Sequence, residues 1–381
     1  MKNNYPRLLL AFLIFAFLFS MFTVFVSSDT DLHLSARSAA LYEPETKNFI
    51  YKKNFDLRLP MASTTKIMTA LLALEMLDGD KVIKIDDRAI GVDGSSIYLE
   101  KGEELTAKDL IYALMLASAN DAAEAIAYEI SGDIDSFSTL MNERAYEIGA
   151  RDTNFKNPHG LDAGGHYTTA HDLSIISAEA LSNPIFRQIS ATYKKTFESN
   201  IKTRTVVNHN KLLKMYDGCI GVKTGYTQLS GRSLVGAAEK DGLTLISVTI
   251  DAPNDWSDHK TLLNYGFDSL KCVSLIKEGD FKREIPILNG ITSTLTVTND
   301  RDVKIICDKN APYPKEELKM HRYAVAPIRR GDPIGKIIYT INGETVGETD
   351  IVACDDITSK KKFSLPFGIF QKQNQEMLWK K

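Results

Sequence analysis

The 381-residue sequence predicts an α/β fold, with an antiparallel sheet flanked by helices and a small all-β domain behind it. Three observations carry this. Two short strand-like segments precede a block of helix-length apolar patterns, and three strand-like segments follow that block. From about Ser269 the texture changes, and short β-rich runs replace helix-length patterns up to Lys362. Within those runs, Asn342-Gly343 is the strongest hairpin signal of the chain. The divisions that follow are 1–28, 29–268, 269–362 and 363–381.

Each element follows from local pattern. Lys2 and Arg7 precede an uncharged apolar run from Leu8 to Val26, and Val26-Ser27-Ser28 offers small residues for cleavage. Residues 1–28 therefore read as a signal peptide or a retained membrane anchor, and either exports the rest of the chain. Ser38 to Tyr42 and Asn48 to Lys52 read as a strand pair. Pro60 to Leu77 reads as a buried helix. Leu105 to Tyr128 is a helix or two helices broken near Ser118, with Thr106 as N-cap and Asp109 three residues on. Ile134 to Ile148 and His171 to Leu181 are further helices. Cys219 to Thr224, Ser233 to Ala238 and Leu243 to Ile250 read as strands, the last two joined by a Glu-Lys-Asp-Gly turn. Leu295 to Val297, Val303 to Cys307, Pro333 to Ile341 and Glu344 to Val352 form the β-rich region. The tail carries Phe363, Phe367, Phe370, Met377, Leu378 and Trp379, which read either as an amphipathic helix at a membrane surface or, given Pro366 and Gly368, as a docked or disordered tail.

Composition excludes some classes. A net charge of −3 gives no basic footprint for nucleic acid. The four cysteines, Cys219, Cys272, Cys307 and Cys354, are too widely spaced for a zinc or redox motif and read as free, buried thiols.

The chemistry concentrates in three short stretches. In "PMASTTKIMTALLALEML" Lys66 is a single internal cation in an apolar helix, three residues after Ser63. On a helix the two share a face whose other members, Ala62, Thr69, Ala70 and Ala73, are small enough to admit another segment. Burial lowers a lysine's pKa, and a neutral amine beside a hydroxyl is a general base beside a nucleophile. The plain alternative is a lysine that snorkels to water. The spacing alone says little, because Ser274–Lys277 and Ser359–Lys362 repeat it. In "LMLASANDAAEAIA" Ser118 and Asn120 lie two apart at a small-residue break, where they face one way only if the chain leaves the helix; otherwise one of them is an N-cap. In "GCIGVKTGYT" Lys223 and Gly225 share one side of a strand end and Thr224 takes the other, unless Lys223 is an ordinary edge lysine.

The ordered set Ser63-Thr-Thr-Lys66, Ser118-Ala-Asn120 and Lys223-Thr-Gly225 resembles the penicillin-binding proteins and serine β-lactamases. The flanking text, including "NPHGLD" and "GVKTGYT", is similar to the low-molecular-mass D-alanyl-D-alanine carboxypeptidases from about Ser38 to Gly266. The resemblance implies a β-lactamase/transpeptidase-like catalytic domain. It implies Ser63 as nucleophile, Lys66 as its base and Ser118 as proton relay toward the leaving D-alanine. Asn120 would bind the substrate's acyl side chain, and Lys223 and Thr224 its terminal carboxylate beside Gly225. The backbone N–H groups of Ser63 and Tyr226 would form the oxyanion hole. Some members carry His where this chain has Tyr226, so a ring contribution to pH dependence is lost while the backbone donor survives. "TNFKNPHGLDAGG" holds no glutamate of the kind that deacylates class A β-lactamases, which points to slow penicillin release and carboxypeptidase activity.

The implied partners are a peptidoglycan stem peptide ending in D-Ala-D-Ala, β-lactams as inhibitors and the membrane surface, with no cofactor and no nucleic acid. A D,D-endopeptidase acting on cross-links and a scaffold without turnover share the same motifs. A metallopeptidase is the rival enzyme class, because His159, His166 and His171 cluster with Asp162 and Asp172. Their spacing does not match a helical two-histidine zinc motif, so no metal is expected.

Overall fold

The computed structural model describes residues 32–360. The export segment, 1–28, and the tail, 363–381, lie outside the described residues. Strands β1 (Ser38–Glu43) and β2 (Asn48–Lys53) form the expected hairpin. A short 3-10 turn, Ala62–Thr65, then leads into helix α1 (Lys66–Met76). The sequence predicts one continuous helix from Pro60. Instead Ala62 takes a left-handed φ of 46°, so the chain turns sharply before the helix starts.

The following elements wrap this helix. β3 (Val82–Lys84) pairs with β4 (Glu104–Thr106), and α2 (Ala107–Leu116) follows. Thr106 caps α2 as read, accepting from Asp109 N at 3.1 Å and donating to Asp109 Oδ2 at 2.7 Å. The predicted break is present: α2 stops, Ser118 takes φ 58°, and α3 (Asn120–Ser131) begins. Then come α4 (Ile134–Glu147), α5 (Ala170–Ser182) and α6 (Pro184–Ala191). A hairpin of β5 (Lys194–Glu198) and β6 (Thr203–Val207) precedes the short α7 (Leu212–Met215). Strands β7 (Cys219–Thr227), β8 (Gly231–Lys240) and β9 (Leu243–Ile250) form the meander, and α8 (Asp255–Ser269) closes the unit.

The main sheet runs β2-β1-β9-β8-β7, antiparallel throughout. The β1–β2 hairpin therefore docks against β9, the last strand of the meander, and β7, which carries Lys223, is an edge. Helix α1 is the centre of the core. Every residue from Lys66 to Ala73 is buried, against α2, α3, α5 and one face of the sheet. Each of its large apolar side chains contributes roughly 1.5–3 kcal/mol by leaving water.

The β-rich region contains β10 (Leu270–Ile276), β11 (Lys282–Leu288), β12 (Thr294–Asn299), β13 (Val303–Asp308), β14 (Lys315–Met320), β15 (Ala324–Val325), β16 (Pro333–Ile341) and β17 (Glu344–Ala353). Six of them form a sheet in the order β14-β16-β17-β12-β11-β15, and β10 pairs with β13. Asn342 and Gly343 both adopt left-handed φ, 52° and 87°, as a two-residue hairpin of the primed type requires. This region has its own apolar core around Val297, Ile337 and Ile351. The four cysteines are free, as expected, but each is only half-buried.

Candidate functional site

The turn Ala62–Thr65 is the frame of the site. It sets Ser63, partly exposed, at the entrance to α1, while Lys66 at the head of the helix has no exposure at all. Three oxygens surround the lysine: Nζ lies 3.0 Å from Ser63 Oγ, 2.7 Å from Asn120 Oδ1 and 2.6 Å from the carbonyl of His159. Lys66 therefore does not reach water. Burial pushes its pKa well below the ordinary lysine value of 10.5, the charge of Lys223 pushes the same way, and Asp121 opposes them.

The small face of α1 admits a loop, as its residues suggested, and that loop is "NPHGL". Thr69 Oγ1 donates to the carbonyl of Pro158 at 2.6 Å, and Lys66 to that of His159. Asn157 Oδ1 shapes the turn by accepting from Gly160 N at 2.7 Å. Gly160 has φ +90°, and a Cβ there would sit 1.9 Å from the carbonyl oxygen of Ala62. The loop and the Ser63 turn are thus in backbone contact.

Asn120 heads α3 and is fixed at both ends of its amide. Its Oδ1 accepts from Lys66, and its Nδ2 donates to Asp93 O at 2.6 Å. The residue cap of α3 is Ala119, so neither Ser118 nor Asn120 serves as a capping side chain. Buried Asp121 ties down the adjoining loop, accepting from Ser96 Oγ at 2.5 Å, Ile97 N at 3.2 Å and Leu99 N at 3.0 Å. Arg204 on β6 holds the same loop from outside, through a buried pair with Glu103 and a bond to Ile97 O at 2.9 Å.

The edge strand β7 completes the arrangement. Lys223 is 1% exposed and donates to Ser118 Oγ at 3.1 Å and Thr224 O at 3.0 Å; burial brings its pKa down to about 7. A Cβ on Gly225 would lie 3.0 Å from Ser63 N and 3.1 Å from Ala62 Cβ, so a side chain there would push the Ser63 turn back by a few tenths of an ångström. Thr224 is half-buried, and the Tyr226 side chain is exposed. Of the eight residues singled out from sequence, Ser63, Lys66 and Asn120 are joined by contacts, Lys223 reaches Ser118, and Gly225 abuts Ser63. Among the described residues no hydrogen bond joins the side chains of Thr224 or Tyr226 to the others.

The clustered histidines take separate places. His159 Nδ1 accepts from Leu161 N at 3.2 Å, which leaves Nε2–H to face Glu124 Oε1 at 3.3 Å. His166 Nδ1 accepts from Lys156 N at 3.0 Å, so Nε2–H donates to Thr65 Oγ1 at 2.8 Å; burial lowers its pKa to about 4. His171 pairs with Asp172 at 2.9 Å. Among the described residues no group of His, Cys, Asp and Glu is arranged to hold a metal ion. Sequence reasoning missed the parts played by the His159 carbonyl, Gly160, Asp93 and the Thr65–His166 bond. A signal existed for the first two: Asn-Pro-His-Gly is a turn sequence, and only a turn presents carbonyls sideways to a helix.

The peptidase S11 family, D-alanyl-D-alanine carboxypeptidase, matches residues 24–254, and the C-terminal domain of penicillin-binding protein 5 matches 271–359. D-alanyl-D-alanine carboxypeptidase DacF of Bacillus subtilis is 33% identical over 369 residues, covering 94% of this chain and 95% of that one. Penicillin binding protein 5 from Haemophilus influenzae superposes with a TM-score of 0.65 at 26% identity, covering 86% of this chain and 98% of the other. The carboxypeptidase DacD from Francisella tularensis gives 0.63 at 26% identity, covering 86% and 94%. The chain belongs to the peptidase S11 family of penicillin-binding, serine-type D-alanyl-D-alanine carboxypeptidases.

Proposed function

We propose that the chain removes the terminal D-alanine from peptidoglycan stem pentapeptides through an acyl-enzyme on Ser63, the same residue that β-lactams acylate. One observation carries this reading. A neutral lysine amine has two hydrogens and one lone pair. The carbonyls of Asn120 and His159, at 2.7 and 2.6 Å, take the two hydrogens, and the lone pair is left for Ser63 Oγ at 3.0 Å. Lys66 then accepts the Ser63 proton as Oγ attacks the carbonyl carbon of the penultimate D-alanine. The N–H groups of Ser63 and Tyr226 stabilise the oxyanion, a role supported by the close approach of Gly225 to Ser63 N. Ser118, bonded to Lys223, gives its proton to the leaving amine and is reprotonated by the Lys66 ammonium, so the proton taken from Ser63 ends on the released D-alanine. Asn120 orients the acyl side, and Lys223, Thr224 and Gly225 line the carboxylate side. Water then hydrolyses the ester and frees Ser63.

The same reading divides the chain into an export segment (1–28), a catalytic domain (29–268), a β domain (269–362) and a membrane-associating tail (363–381). It places the enzyme outside the cytoplasm, where its substrate is. The test is incubation with a pentapeptide ending in D-Ala-D-Ala, reading free D-alanine. Release that benzylpenicillin abolishes and EDTA leaves intact is expected. Penicillin acylation without D-alanine release would contradict it and favour a scaffold.

A further inference from the structure

The Lys66 amine turns its lone pair to Ser63 only while two oxygens hold its hydrogens. Those two oxygens are held differently. Asn120 Oδ1, at 2.7 Å, belongs to a side chain at the head of α3 whose amide is pinned at both ends. The other, at 2.6 Å, is the backbone carbonyl of His159 in a loop. Thr69 bonds the carbonyl before it, Pro158 O, at 2.6 Å, and Asn157 takes the N–H after it, Gly160 N, at 2.7 Å. The side chain of His159 supplies the remaining tie.

That tie runs to α3. Glu124 stands one turn after Asn120, so the two share a face of the helix. His159 Nδ1 accepts from Leu161 N at 3.2 Å, closing the turn around the ring, and Nε2–H faces Glu124 Oε1 at 3.3 Å. The other carboxylate oxygen accepts from the Tyr128 hydroxyl at 3.4 Å, one turn further along α3. The Arg88 guanidinium in turn lies 4.1 Å from the centre of the Tyr128 ring. The side chains of His159 and Glu124 are 8% and 15% exposed. A carboxylate so little exposed is costly unless partnered, and its partners here bind helix to loop. Burial lowers the pKa of the His159 ring below the ordinary 6.5; the bond to Glu124 works against this and the charge of Lys66 adds to it. A neutral ring has a single N–H, and Glu124 receives it.

We propose that Glu124 is a positioning residue for proton transfer from Ser63: by holding the His159 ring it keeps the His159 carbonyl on Lys66, so that one helix, α3, sets both hydrogen acceptors of the amine. This rests on the reading of Lys66 as the base in acylation of Ser63. The experiment is stopped-flow acylation of the full-length enzyme by benzylpenicillin, which separates the limiting rate from the half-saturating concentration. It compares wild type, Glu124→Val, Glu124→Gln, His159→Phe and the double variant Glu124→Val/His159→Phe. Glu124→Val is expected to lower the limiting rate by roughly threefold to thirtyfold, within the worth of a hydrogen bond to a charged group, at an unchanged half-saturating concentration. Glu124→Gln restores most of the rate, because its amide oxygen accepts from Nε2–H. The double variant is no slower than the slower single variant, because both break one bond. A wild-type rate in Glu124→Val, a loss carried by the half-saturating concentration, a Glu124→Gln as slow as the valine variant, or a double variant whose loss multiplies the two single losses would overturn the proposal. Should melting curves show that Glu124→Val does not fold, Glu124→Ala takes its place in the same comparison. If the wild type is not acylated, or Lys66→Met is acylated at the wild-type rate, the reading beneath this inference fails; if the wild type is acylated, Lys66→Met is slow and Glu124→Val matches the wild type, only this inference fails.

Discussion

The same four-residue spacing appears in both regions of the molecule with opposite results. Ser63-Thr-Thr-Lys66 sits where a tight turn enters the core helix, and its lysine has no exposure. Ser274-Leu-Ile-Lys277 lies in the β domain, where Ser274 is an exposed residue of β10 and Lys277 begins an exposed turn, its backbone N–H bonded to Asp280. Lys277 lies past the end of β10, which is bulged between Ser274 and Ile276, so no helical turn sets the two side chains on one face. The turn and helix bring Lys66 Nζ and Ser63 Oγ to 3.0 Å. The second difference is solvent. A lysine on the surface keeps its proton, whereas Lys66 is desolvated and its hydrogens are taken by two fixed carbonyls. The lesson is that a nucleophile and base are made by their surroundings, and the pattern supplies only the atoms.

The sharpest way to break this contrast is to remove the proposed nucleophile. Ser63→Ala is expected to abolish both benzylpenicillin labelling, read by intact mass, and D-alanine release; persistent labelling would move the nucleophile elsewhere. Next in size is the proposed base. Lys66→Met, close in length and apolar, should slow acylation by roughly 10²–10⁴-fold, as loss of a positioned base does. A near wild-type rate would make Lys66 a packing residue.

The third effect concerns charge. In the proposed reaction acylation requires Lys66 neutral, so its rate is expected to fall as pH drops through the lowered pKa of that amine. Lys223 contributes to the lowering. Lys223→Gln removes that contribution, so the acid limb should move to higher pH wherever Lys223 is otherwise charged, below about pH 7. Stopped-flow acylation across pH reads this, and a shift to lower pH would contradict the sign.

The smallest effects contrast two glycines. Gly160→Ala forces a Cβ into the carbonyl of Ala62 at φ +90°, so the loop and the Ser63 turn must separate. A loss of about 1–3 kcal/mol of stability and slower acylation are expected together. Gly343→Ala, in the β-domain hairpin at φ +87° with nothing within 4 Å, should cost about 1–2 kcal/mol and leave acylation unchanged. Melting curves paired with acylation rates separate the two.

Much of this was legible from the residues. Thr106 with Asp109, the break at Ser118, the Asn342-Gly343 turn and the three meander strands are local signals, and local chemistry sets them. Most of what escaped depends on distance, with helix α6 as the exception. Helix α6 carried a readable start, since Asn183 accepts from Ile185 N at 2.9 Å and Pro184 fills the first helical position. Helix α8 has a mixed composition, and its apolar stripe of Leu262, Leu263 and Gly266 gains meaning only against Leu41 and Leu245. Strand β14 is exposed almost throughout and offers no apolar alternation. The site's acceptors escaped for a deeper reason. The carbonyls of His159 and Asp93 are backbone atoms, identical at every residue, and only tertiary contact with Lys66 and Asn120 distinguishes them.

The central claim is that Lys66 is a neutral amine in the folded enzyme. The direct measurement is an NMR titration of ¹³C-lysine-labelled protein, with the Lys66 Cε signal assigned by its loss in Lys66→Met. A titration midpoint well below the ordinary value of 10.5 is predicted. A midpoint at or above that value would contradict the account, because the amine beside Ser63 would then carry its proton and could not accept another.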